Sequence, residues 1–173
     1  MLFPGRPADG RLFLGTGITG DEKTRLGAAT AHAENQITIS RSPDEVYMFL
    51  ADGLNNTAWR AGVQSISLKS GTAGMPGAVY RQTLSGPGGR AIDGDYEIIA
   101  AEPGRLLGFQ VVAGPARPSG AYHLAPSDGG TTVRFTLDLQ PKGLMKLAGP
   151  MVQRTMDQEV AQLAKLKTVL EAR

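Results

Sequence analysis

Three tyrosines, one glutamate and a short charged row hold most of the chemistry this sequence offers. Tyr80, Tyr96 and Tyr122 each join an apolar ring to a hydroxyl. Buried together, they would give a mainly apolar pocket its few polar contacts. Glu159 stands within a stripe formed by Met156, Leu163 and Leu166 at helical spacing, with no Lys or Arg three or four residues away. Desolvation disfavours the charge of a carboxylate, and a carboxyl kept neutral that way suits proton transfer or the anchoring of a ligand. Unpaired buried Glu is rare, which favours the plainer reading that the helix end splays and Glu159 reaches water.

Other chemistries lack their parts. The chain has no cysteine, which removes disulfides, thiolate metal ligands and thiol nucleophiles. His32 and His123 lie far apart without metal-binding spacing, so no metal and no cofactor is expected. Ser and Thr are plentiful, but no G-x-S-x-G elbow accompanies them. No nucleophile is assigned, and Glu159 is the one weak catalytic candidate. Gly15-Thr16-Gly17-Ile18-Thr19-Gly20 fits G-x-G-x-x-G. It lacks the strand before and the helix after that would set a pyrophosphate on a helix N-terminus, and it reads as coincidence.

The elements that must position these groups begin near residue 34. Residues 1–33 are Gly-rich, poor in large apolar groups and without a sustained period, so they are expected to form a weakly ordered N-terminal extension. Residues 34–173 then read as one domain. Gln36–Ser40 alternates as a half-buried strand. Ser42-Pro43-Asp44-Glu45 predicts a capped helix start, followed by a second short helical turn that carries Trp59. Six further strands are predicted over 63–68, 78–84, 91–100, 105–112, 121–125 and 131–140, separated by turns such as Gly86-Pro87-Gly88-Gly89 and Asp128-Gly129-Gly130. Short connections make the seven-stranded sheet antiparallel. Lys142 to Arg173 predicts one long amphipathic helix, kinked or restarted at Pro150.

Alternation sets the faces. Asp93, Asp95 and Glu97 share one face of the fourth strand and belong in water, with Arg81 also outward, beside Val79 and Thr83. Tyr80, Gln82, Tyr96, Ile98, Phe109, Val111, Tyr122, Phe135 and Leu137 then point inward. On the final helix, Val152 and Met156 share the apolar face.

Ile37–Ser40, Ser42-Pro43-Asp44-Glu45-Val46, Trp59, Tyr96-Glu97-Ile98, Glu102-Pro103-Gly104-Arg105-Leu106, Asp128-Gly129-Gly130-Thr131 and Leu163–Glu171 together resemble the START-like (SRPBCC) superfamily, in its polyketide cyclase/dehydrase and lipid-transport branch. The resemblance covers about residues 34–171. It implies an α+β helix-grip fold: a curved seven-stranded antiparallel sheet around the C-terminal helix, two short helices between the first two strands, and a deep apolar cavity. The inward residues above, with Trp59, would then face a ligand. The function this implies is binding or transport of a small hydrophobic lipid- or polyketide-like molecule. The alternative is a cyclase or dehydratase that moves a proton with a cavity Tyr or Glu.

Partners follow from charge and hydropathy. A net charge of +2 gives no clustered basic footprint, so nucleic acid is not expected. No apolar run approaches the ~20 residues of a spanning helix, and the N-terminus lacks a secretory signal core, so neither membrane insertion nor export is expected. A cytoplasmic location fits the cysteine-free composition.

Overall fold

The computed structural model describes residues 30–173. The Gly15–Gly20 run and all but the last residues of the expected extension lie outside the described residues. Strand β1 is Ala31–Ile39, a little longer than the alternation predicts, with Ala33 and Ile39 buried. His32 is therefore a strand residue, and its Nδ1 lies 2.8 Å from Asp138 Oδ1 on the neighbouring strand.

Helix α1 (Pro43–Ala51) starts as the sequence predicts. Ser42 Oγ accepts the Glu45 N–H at 3.3 Å, and the Glu45 carboxylate accepts the Ser42 N–H at 2.9 Å. Val46, Phe49 and Leu50 turn into the core. After a single 3-10 turn at Gly53–Asn55 comes α2 (Asn56–Trp59). Gly53 makes a close approach here, because a Cβ at this position would collide with the Tyr96 hydroxyl and the Tyr80 ring.

The remaining strands are β2 (Val63–Ser70), β3 (Val79–Ser85), β4 (Ala91–Asp93), β5 (Tyr96–Glu102), β6 (Leu106–Val111), β7 (Ser119–Ser127) and β8 (Gly130–Leu139). They form one antiparallel sheet in the order β1-β8-β7-β6-β5-β3-β2, with β4 paired to β3. Consecutive strands pair along most of the sheet, as short turns require. The exceptions are β1, which pairs with β8 and sets Ile37 opposite Val133, and β5, which pairs with β3.

The predicted fourth strand is divided, so the sheet has eight strands rather than seven. At Gly94 the backbone N–H donates to the Gln82 carbonyl at 2.8 Å, and Asp95 Oδ1 then accepts the Gln82 N–H at 3.1 Å. A side-chain oxygen thus takes the place of a backbone acceptor, and β5 starts one residue later. This overturns the expected exposure of Asp95, which is buried, with Lys69 Nζ 3.4 Å from its second oxygen. Asp93 and Arg81 are exposed, as alternation predicts.

The C-terminal segment is helical but interrupted. A 3-10 stretch at Gly143–Ala148 leads into α3 (Gly149–Ala161), and α4 (Leu163–Glu171) follows. Pro150 sits in the first turn of α3, where its missing N–H costs nothing. The second break falls at Gln162. Its N–H donates to the Glu159 carbonyl at 3.2 Å, and its side-chain oxygen accepts the Ala61 N–H at 2.6 Å. Leu163, Leu166 and Leu170 bury against the sheet side of the core, each stabilising by roughly 1.5–3 kcal/mol. Lys167 donates to the Thr38 carbonyl at 2.6 Å, and Glu171 accepts the Ser40 N–H at 2.7 Å, which clamps α4 to β1. The result is the expected α+β helix-grip arrangement. Among the described residues, no helix is long and apolar enough to cross a membrane.

Candidate functional site

An aromatic band crosses the inner face of the sheet, one ring per strand. Tyr80 on β3 stacks on Tyr96 on β5, with ring centres 5.1 Å apart. Phe109 on β6 meets Tyr96 edge-on at 5.8 Å. Tyr122 on β7 stacks on Phe135 on β8 at 4.4 Å, directly across the strand pair. Such geometry adds ~0.5–1.5 kcal/mol per pair beyond burial, and it gives the site a stiff floor.

Above this floor the sheet and α3 do not meet fully. They enclose an apolar cavity of about 370 Å³, within the range of small-molecule sites. Ile98, Leu107, Phe109, Val111, Phe135 and Leu137 line it from the sheet. Val152, Met156 and Met151 line it from α3, and Pro115, Ala116 and Pro118 from the β6–β7 connection. Met151 is 63% exposed, so it marks the rim rather than the floor.

Several of the polar lining groups form one hydrogen-bonded network. Arg60, directly after α2, places Nε 2.5 Å from Glu159 Oε1 on α3. Both side chains are largely withdrawn from water, at 12% and 24% exposure. Gln162 Nε2 donates to the other Glu159 oxygen at 2.8 Å. Arg60 Nη1 reaches Gln82 Oε1 at 3.4 Å, and Gln82 Nε2 donates to the Gly94 carbonyl at 3.2 Å. Asn56 Nδ2 donates to the Tyr96 hydroxyl at 3.2 Å. Burial opposes the charge of Arg60, but the adjacent Glu159 more than offsets it and raises the guanidinium pKa. Burial also pushes the Tyr96 and Tyr122 hydroxyls well above the ordinary phenol range, so both remain protonated donors.

Gln82, Tyr96, Ile98, Phe109, Val111, Tyr122, Phe135, Leu137, Val152 and Met156 come together around the cavity, as does Glu159. Tyr80 and Trp59 do not line it. Tyr80 lies behind Tyr96, donating to the Ala51 carbonyl at 3.3 Å, and is fully buried. Trp59 packs beneath Tyr122 at 6.2 Å as part of the core. Glu159 does not stand free in water. Its partner is Arg60, 99 residues away and so outside its i±3 and i±4 helical neighbours. Sequence reasoning also missed Asn56, whose buried amide faces the cavity. One signal was available for Arg60: it follows Trp59 directly, at the end of a short helix that buries Trp59 and Asn56.

Residues 30–171 match the family described as polyketide cyclase / dehydrase and lipid transport. No curated protein matches the chain. Among solved structures, the chain is similar to the di-domain ARO/CYC StfQ from the steffimycin biosynthetic pathway, with a TM-score of 0.71 and 14% identity over 88% of this chain and 54% of that one. It is also similar to the Zhui aromatase/cyclase from Streptomyces sp. R1128, with a TM-score of 0.65 and 16% identity over 83% and 93% of the two chains. A START superfamily protein from Mycobacterium smegmatis gives 0.67 and 13% over 82% and 97%. Likeness at these identities is likeness of fold.

Proposed function

Because the chain belongs to the polyketide cyclase/dehydrase and lipid transport family, we propose that it binds and carries a small hydrophobic molecule between its sheet and its C-terminal helix. The observation that carries this reading is the cavity itself: about 370 Å³, walled mainly by aliphatic and aromatic side chains. A preformed apolar chamber stabilises a guest by taking its surface out of water, without first having to open a core.

The catalytic alternative requires a titratable group free to face the guest. Glu159 has one oxygen on Arg60 and the other on Gln162. That engagement supports a carrier over an enzyme that uses Glu159 as acid or base. The cysteine-free sequence is compatible with the cytoplasm, which completes the proposal.

Native mass spectrometry of gently purified protein tests the reading. A retained apolar guest that leaves on mild activation is the expected result. A guest-free protein that turns over a poly-β-keto chain would overturn it.

A further inference from the structure

We propose that the cavity selects guests whose polar end is uncharged, such as a ketone, an ester or an alcohol on an apolar body, and that Glu159 enforces this by neutralising Arg60. The inference rests on the carrier reading above and names the class of molecule carried.

A lone arginine in an apolar chamber would attract a carboxylate or phosphate, because its planar fork binds such groups bidentately. Here two of the three guanidinium nitrogens are already engaged. Nε meets Glu159 Oε1 at 2.5 Å and Nη1 meets Gln82 Oε1 at 3.4 Å. The ion pair is locked from behind, since Gln162 donates to the second Glu159 oxygen at 2.8 Å while its own oxygen is held by the Ala61 N–H at 2.6 Å. An entering anion would meet a pair of zero net charge, with a carboxylate already seated on the guanidinium. Asp93, exposed to solvent, is the second carboxylate residue among those that line the cavity. An anion desolvated there without a partner is strongly disfavoured.

Neutral acceptors, by contrast, find donors waiting. The Tyr122 side chain is 5% exposed, lines the cavity and, among the described residues, makes no hydrogen bond through its hydroxyl. The Tyr96 hydroxyl receives the Asn56 amide at 3.2 Å, which leaves its own hydrogen to give. The Tyr122 hydroxyl is thus a free donor for one carbonyl, ester or hydroxyl oxygen of a guest, with Tyr96, whose hydroxyl lies against Gly53 and Asn56, lining the same cavity.

The full chain is titrated calorimetrically with dodecanol, methyl dodecanoate and dodecanoate at neutral pH, then again as Glu159→Gln and as Arg60→Met/Glu159→Gln. The unsubstituted protein is expected to bind the two neutral probes at least about tenfold more tightly than the acid. Glu159→Gln, which leaves Arg60 uncompensated, should raise the ratio of dodecanoate to dodecanol affinity by about tenfold, and the double substitution should cancel that rise. Equal affinity of the unsubstituted protein for acid and alcohol overturns the proposal. So does an unchanged ratio in folded Glu159→Gln. Failure of all three probes to bind the unsubstituted protein would instead overturn the carrier reading on which the proposal stands.

Discussion

Arg60 and Glu159, 99 positions apart in the chain, meet at 2.5 Å between the end of α2 and the C-terminal end of α3. The pair joins the small helices that follow β1 to the long segment that closes the cavity. Removing one partner leaves the other charged and poorly solvated, which is costlier than removing both. Arg60→Met and Glu159→Gln should each destabilise the fold by about 2 kcal/mol. In a double-substitution cycle their combined cost should fall short of the sum by about 1–2 kcal/mol. Urea unfolding of the four proteins reads this directly, and strict additivity would contradict it.

The α4 clamp gives a signed pH dependence. Lys167 and the Ser40 N–H hold the Glu171 carboxyl down at about 2, against an ordinary value of 4.5. A depressed pKa means that the folded state releases its proton more readily than the unfolded chain does. The clamp's stabilisation is therefore complete above pH 4.5 and is lost as pH falls from there through about 2. Melting temperatures of the native protein and Glu171→Gln should differ at neutral pH and converge as the solution is acidified. A gap that persists undiminished would contradict this origin.

Gly120 on β7 lies against the cavity floor. A Cβ there would sit 2.5 Å from Phe109 Cζ and 2.8 Å from Leu137 Cδ2. Both neighbours line the cavity, so Gly120→Ala should push them into the space a guest would use. Overpacking of this kind costs ~1–3 kcal/mol. Guest occupancy by native mass spectrometry should fall along with stability. A variant that binds as the parent does would show that the floor yields elsewhere.

What was legible in the sequence follows from the range of the interactions involved. The Ser42–Glu45 cap, the turns and the strand alternation are local, and they place Ile98, Phe109, Tyr122 and Phe135 on the inner face. Tyr80 passes the same test of alternation, yet it is screened from the cavity by the stacked ring of Tyr96, a neighbour that only the strand register supplies. Asp95 is buried because its carboxylate replaces a backbone acceptor for Gln82, which no period-two pattern encodes. Arg60 and Glu159 find each other only when the chain is folded. The helical neighbours of Glu159 include no Lys or Arg, so the local sequence alone points Glu159 to water.

The protein's own side chains leave a cavity of about 370 Å³ between sheet and α3. Val152, on the cavity face of α3, is partly buried and lines that space. Its replacement by Trp should fill the chamber. Titration with the neutral dye N-phenylnaphthylamine is the most direct measurement. The native protein should bind one equivalent with enhanced fluorescence, and folded Val152→Trp should bind none. Equal binding by both proteins would place the dye elsewhere and contradict the account.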